Sequence, residues 1–557
     1  GGAVTTGGNN IMIGHLAGDG FDAETANLGI GKQALGGAIA GGEYNVAIGN
    51  GSLDALTSAD SVTAIGYEAG SDYTTGDSGA GRSVFIGYQA GKAVTTGFDQ
   101  VAIGSGAGSV NGVGTSRGLI SVGRSAGNRK TSGDQCILIG TDAGSYLTTA
   151  ADSIFIGGFA GDGHDTEGNN LGIGTNSLGG SIAGGEYNVA IGNNTLDALT
   201  SGDNNVAIGY NAGTGITTGT GNTAIGTSAV SAGTMTGNNN VVIGKLAGED
   251  MTSADANVII GEDAGKNQTT ANNNILIGQG AGEAITTGGD NIFVGTGAGD
   301  GHDAETNNLG IGKGSLGASI NGGEYNVAIG NLTLDAVTSG DNNVAVGYGA
   351  GGAITDGNDN IAIGKQTLDG TVTGDRNIAI GSLAGTDVTS AENSVFVGNE
   401  AGANITTGVN CIAIGHQSIT QPDTEGNNVA VGTGALGGAI AGGEYNTAIG
   451  NFSLDALTSA DGNTAVGYNA GSAVTTGSRN TLIGHEAALD TVGLTTGFNN
   501  TVIGHHARTS VNNAEGQIVI GEDLAGAGDN RVTLGSAGGT INCSYTQNKT
   551  WTQSSDE

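Results

Sequence analysis

The sequence predicts an all-β chain: a repetitive β-solenoid or β-roll of about 31 coils of 17 residues. Three observations predict it. A four-residue motif recurs in fixed register, its period is too short for helical repeats, and the 557 residues include 113 glycines but one proline. The motif is an apolar residue, a small or apolar residue, Ile or Val, then Gly. It begins as IMIG at Ile11, LGIG at Leu28, VAIG at Val46 and TAIG at Thr63, and ends as VTLG at Val532. From Ile120 to Leu482 it returns every 17 or 18 residues, and gaps of 19 to 21 follow Thr63, Val101 and Thr481. Helical repeats need about 33 residues or more per unit.

Each part of the coil follows from its residues. The consensus reads N-N-V-A-I-G-x-x-A-G-x-x-I-T-T-G-D, and VAIGYNAGTGITTG from Val206 to Gly219 is close to it. V-A-I alternates, with Val and Ile on one face and Ala on the other, and Val and Ile are expected to fill a thin core. The β-branched I-T-T segment is expected to form a second strand. Gly and Asn between them tolerate positive φ, and Asx side chains bond nearby backbone. The expected coil is therefore strand, turn, strand, turn, with each rung hydrogen-bonded to the next. At roughly 4.8 Å per rung, the stack would form a rod on the order of 150 Å long. Pro422 falls in QPDTEG, in the loop half of its coil, where a lost ladder N–H is tolerable.

A longer repeat overlies the short one. GGEYN occurs at Gly41, Gly184, Gly322 and Gly442, each time followed by VAIGN or TAIGN. Duplication of multi-coil blocks explains this and implies one surface decoration displayed four times. The repeat occupies residues 1–535. Residues 536–557 are a non-repeat segment rich in Thr, Ser, Gln and Asn, and contain the single Trp, Trp551.

Composition removes several classes. Fifty-two acidic residues against 16 basic ones give a formal net charge of −36, which leaves no basic groove for nucleic acid. No stretch approaches about 18 consecutive apolar residues, so no transmembrane helix is expected. The first residues, GGAVTTGGNN, carry no Met and no signal-like segment. The chain is therefore expected to begin inside a longer product or after a cleavage. Cys136 and Cys411 each replace the Asn before a motif and lie 16 coils apart, while Cys543 is in the tail. All three are expected to be free thiols.

The stretch from Trp551 to Glu557 resembles the segment that leads into the self-cleaving intramolecular chaperone of endosialidase-type phage tail fibres. In that family a Trp-containing stretch precedes Ser-Asp-Glu, and cleavage falls between Ser and Asp. The resemblance places the junction at Ser555–Asp556 and puts the chaperone outside this chain. The N-x-V/T-A-I-G coils are similar to the head repeats of trimeric autotransporter adhesins, whose coils are shorter than 17 residues, and to repeats in phage fibre proteins. Both families imply an elongated homotrimer, and the adhesin heads imply left-handed coils.

The residue after each motif Gly forms a stripe along successive coils. It is Tyr at Tyr67, Tyr88, Tyr210, Tyr348 and Tyr468, His at His15, His416, His485 and His505, and Lys at Lys32, Lys245, Lys313 and Lys365. Such a stripe can meet a glycan or protein receptor. The plainer alternative is a row of solvated turn residues that keeps the surface soluble. Acidic loops recur as DGFDAE, DGHDTE and DGHDAE. Asp19 and Asp22, Asp162 and Asp165, and Asp300 and Asp303 are candidate Ca²⁺ ligands, although Asp is expected in turns anyway. No other cofactor is expected.

No catalytic motif stands out, and the chain is read as non-enzymatic. The expected function is a structural virion protein: a tail-fibre shaft or receptor-binding rod, attached to other virion tail proteins. It would assemble as a homotrimer and bind a host-surface glycan or protein receptor by multivalent contacts. Nucleic-acid binding and membrane insertion are not expected. The alternative is the head of a bacterial trimeric adhesin, or a filament subunit at the cell surface. A glycan-degrading tailspike ranks third.

Overall fold

The computed structural model describes all residues except 1–5, 21, 76–80, 110–114, 182, 320, 421–423, 439–440, 490–492, 545–551 and 555–557. Pro422, Trp551, Ser555 and Asp556 therefore lie outside the described residues. The described residues are all β-strand, turn and bend, without helix. They fall into two units: residues 1–280 with 285–287, and residues 281–284 with 288–557.

In the first unit, three-residue strands run from Ile11–Ile13 to Ile275–Ile277. Each pairs in parallel with the strand one coil on, motif residue against motif residue. Val189, Ala190 and Ile191 oppose Val206, Ala207 and Ile208, for example. The second unit repeats this arrangement from Ile292–Val294 to Thr501–Ile503. Its parallel stack continues through Ile518–Glu522 to Arg531–Ser536. Antiparallel strands Gly539–Ser544 and Thr552–Ser554 follow. The parallel repeat thus gives way just after Gly535. The predicted β-solenoid of 17-residue coils is the fold of the chain.

The interior corrects the sequence reading. The middle residue of the triplet, not its flanks, is inside. Ala47, Ala207, Phe293 and Leu276 have no exposed surface, while the Val and Ile beside them are half-buried or exposed. Ile311, Ile329, Ile363 and Ile380 each keep about 38% exposure. The core is built from this middle residue, the Ala of the A-G turn and the apolar residue before T-T, such as Ala212 and Ile216. Ala fits because the coil is too narrow for two large side chains at one level. Where Phe155 and Phe293 enter, the next rung carries Gly172 and Gly310. A Cβ there would lie 2.9 and 3.0 Å from the rings.

The I-T-T segment is not a second strand. Among the described residues it makes only isolated bridges, such as Ile216 to Met235 and Ile354 to Val372. Its rungs are still tied together. The Thr200 N–H donates to Thr217 O at 2.8 Å, and the Thr200 hydroxyl to the same oxygen at 3.0 Å.

Two ladders explain the consensus. Asn45, Asn188, Asn205 and Asn222 are buried just before their strands. Each accepts a backbone bond from the next coil: the Asn205 N–H donates to Asn188 Oδ1 at 2.9 Å, and the Asn222 N–H to Asn205 Oδ1 at 2.9 Å. The amide group donates across its own coil, as from Asn205 Nδ2 to Gly219 O at 2.8 Å. Sequence placed these Asn in turns. Their main work is to satisfy polar groups inside the coil. The second ladder is glycine. Gly192 has φ +134, and a Cβ would sit 2.3 Å from Gly209 O on the next coil. Both facts exclude a side chain.

The cysteines occupy the Asn slot. Cys136 Sγ faces Ala150 O at 3.6 Å, and Cys411 Sγ faces Glu425 O at 3.4 Å. Cys136 and Cys411 are free thiols. In the Cys136 coil, Lys130 fills the apolar slot before T-S with 1% exposure and donates its ammonium to Ala150 O and Ser132 O. Burial pushes the Lys130 pKa down and the Cys136 thiol up. The ammonium thus serves the carbonyl that the missing Asn amide would otherwise reach.

Candidate functional site

The residue after each motif Gly lies at a turn, and the stripe expected there is present on the surface. Tyr67, Tyr88, Tyr210, Tyr348 and Tyr468 are exposed. Where two rings meet on successive coils they stack: Tyr67 and Tyr88 lie 5.4 Å apart and 11° from parallel. Beside them Lys92 Nζ and Gln89 Nε2 donate to Glu68. These hydrogen bonds, first from Lys92, hold the Glu68 carboxyl down at about 2. Lys245 pairs with Glu262 at 2.8 Å on the next coil. Towards the end of the second unit the stripe becomes Tyr468, His485 and His505, with centroids 5.2 and 5.1 Å apart.

The sequence reading missed a second set of aromatics inside its own GGEYN motif. Tyr44, Tyr187, Tyr325 and Tyr445 are 55–64% exposed and hold φ of 57–58°. The residue before the buried Asn is left-handed in many coils, and elsewhere it is mostly Asn or Asp, as at Asn204, Asn239, Asn342 and Asp359. A bulky residue there costs about 1–2 kcal/mol. Tyr in this position four times over sacrifices backbone comfort for an exposed ring. The signal was available: Tyr stands where an Asn or Asp is expected.

The acidic loops place the candidate Ca²⁺ ligands at turns and bends near the surface. Asp19 and Asp22 are exposed at turns. Asp162 is half-buried and Asp300 is exposed, and desolvation raises both carboxyl pKa values. The Asp165 and Asp303 backbones turn inward instead, donating N–H to Glu167 and Glu305 at 3.1 and 2.9 Å. The glutamate is the keystone of each loop. Glu24, Glu167, Glu305 and Glu425 accept from the first Gly of GGEYN one coil on, at 2.9, 3.0, 3.0 and 2.6 Å. Burial alone would raise the Glu24 and Glu167 carboxyls, but the backbone N–H groups bring both below the ordinary value. The loop and the Tyr are thus one device, repeated in four places.

His164 and His302 are fully buried against Phe155 and Phe293, at 5.1 and 4.6 Å between ring centroids. The His302 ring nitrogens have no hydrogen-bond partner. Burial pushes the two pKa values down to about 4 and about 3. These are core residues, not ligands of the loop.

No family model, curated protein or solved structure matches the chain. Among the described residues, three or more metal-ligating side chains come together in two overlapping groups. These are His485, His505 and His506, and His505, Glu522 and Asp523.

Proposed function

We propose that the chain is the shaft of a virion tail fibre, assembled as a homotrimer and holding a host-binding surface. The observation that carries this reading is the face of each strand that the coil leaves uncovered. In both units, rung after rung, two outward side chains per coil, mostly Val or Ile and otherwise Leu or Thr, stay half-buried or exposed. A contiguous apolar surface of this kind marks an interface. A second and third copy are the natural cover, because only an identical chain repeats the same sequence of 17- and 18-residue coils rung for rung.

Attachment to a host glycan or protein is the reading of the outward Tyr stripe and of the four GGEYN tyrosines. Repetition on three chains would multiply weak contacts. The phage assignment, and the processing junction at Ser555–Asp556, rest on the sequence resemblance. The trimer is tested by light scattering. Three times the 53.8 kDa chain mass is expected, and a monomer overturns it. Attachment is tested by whether Tyr44, Tyr187, Tyr325 and Tyr445, changed together to Asn, abolish binding of the labelled protein to host cells. Unchanged binding removes these rings from the receptor surface.

A further inference from the structure

The coils near the end of the second unit bring three imidazoles to one spot on the surface. His485 and His505 follow the motif glycines of strands Thr481–Ile483 and Thr501–Ile503, so they stack on successive rungs. His506 is the next residue along. Its N–H donates to His485 O at 3.0 Å, which fixes the two rungs against each other. Ring centroids lie 5.1 Å apart for His485 and His505, 5.7 Å for His485 and His506, and 4.1 Å for His505 and His506. Their ligand atoms all fall within 4.8 Å of one another.

The next rung continues the chemistry. Glu522 and Asp523 occupy the same two positions after Gly521, and the Asp523 N–H donates to His505 O at 2.9 Å. Glu486 occupies the matching position one rung before His506 and lies 3.1 Å from His506 Nε2. All six positions of this two-by-three grid are therefore His, Glu or Asp. Its second column, Glu486, His506 and Asp523, is held at φ of 55, 52 and 48°. Elsewhere the same pair of positions reads Tyr-Asn, Thr-Ser or Lys-Leu, as at Tyr210, Thr227 and Lys245.

We propose that His485, His505 and His506 bind one Zn²⁺ ion. Three imidazole nitrogens suit zinc, at about 2.0–2.1 Å each, whereas Ca²⁺ takes six to eight oxygens. Two tetrahedral ligands at that bond length sit roughly 3.3 Å apart, within reach of side-chain rotation from the observed spacing. The fourth position falls to water or to a carboxylate of Glu522 or Asp523. Glu486 acts one step out: a carboxylate holding His506 through one ring nitrogen orients the ring and leaves the other nitrogen to ligate. The site would tie two consecutive coils together where the parallel stack nears its last rungs, and a third when Glu522 or Asp523 takes the fourth position.

The test is calorimetric titration of the full, metal-stripped chain with Zn²⁺ and, separately, with Ca²⁺. One tight Zn²⁺ equivalent per chain is expected, without competition from equimolar Ca²⁺. His505→Ala should weaken it at least ten-fold. His416→Ala, in the same column but outside both groups of three ligating side chains, should leave it unchanged. Co²⁺ in place of Zn²⁺ should give the intense visible bands of a low-coordinate site in the parent only. Parent-like circular dichroism establishes that a variant folds, and His485→Gln carries the same expectation should His505→Ala not fold. Absence of a tight Zn²⁺ equivalent, undiminished affinity in the folded variants, or displacement by Ca²⁺ would each overturn the proposal.

Discussion

The two faces of the three-residue strands obey different rules. The inward residue varies from Gly to Ala, Leu and Phe, yet is sealed from solvent in nearly every coil. The outward pair barely varies, being Val, Ile, Leu or Thr, yet stays half-exposed. Inside, the chain solves a volume problem locally, pairing Phe155 with Gly172 and Phe293 with Gly310. Outside, no volume is filled within the chain, and the uniformity is what the proposed packing against further copies requires.

The contrast can be broken experimentally. The largest effect is expected from Phe293→Ala, which empties a core flanked by Gly310 and His302. A loss of about 3–5 kcal/mol is expected, read from hydrogen exchange of the neighbouring strand amides because a repeat array opens locally. Next is Ile311→Ala on the outer face. If further copies cover that face, the cost rises to the buried range, about 2–5 kcal/mol and near its lower end. A cost below about 1 kcal/mol means the face is open to water, and the homotrimer loses its physical basis.

The smallest effect concerns the buried imidazole. Burial holds the His302 pKa down at about 3 in the folded chain, against an ordinary value of 6.5. The unfolded chain therefore takes up the proton first, and stability is lost as pH falls below the unfolded value. Between pH 6.5 and 5 the loss should be about 2 kcal/mol for this residue. His302→Phe, which copies the residue of the first acidic loop, should flatten that part of the pH profile. An unchanged profile would mean that the ring is not buried neutral.

The period, the coil length and the placement of the motif glycines were legible because each is repeated some thirty times. The direction of the strand faces was not. Alternation tells which residues share a face, but Val and Ile look more core-like than Ala until the width of the coil is known. The I-T-T segment misled for a related reason: its β-branched residues are held by rung-to-rung bonds without strand geometry. Of the histidine cluster, His485 and His505 could be aligned from the motif. His506 and the carboxylates of the next rung join them only once the 20-residue coil after Thr481 is folded into register.

The asparagine ladder has a consequence for how such a chain changes over generations. Each coil presents one acceptor to its successor and takes one from its predecessor, so the two ends of any excised whole coil are chemically alike. Cutting between Asn188 and Asn205, or inserting a copy there, leaves an Asn amide facing an Asn backbone on either side of the seam. Length is therefore free to drift in steps of one period, and the ladder also spans longer coils, as from the Asn188 N–H to Asn170 Oδ1 and from the Asn500 N–H to Asn480 Oδ1. The four GGEYN blocks are separated by eight, eight and seven coils, so the last separation differs from the others by one such step.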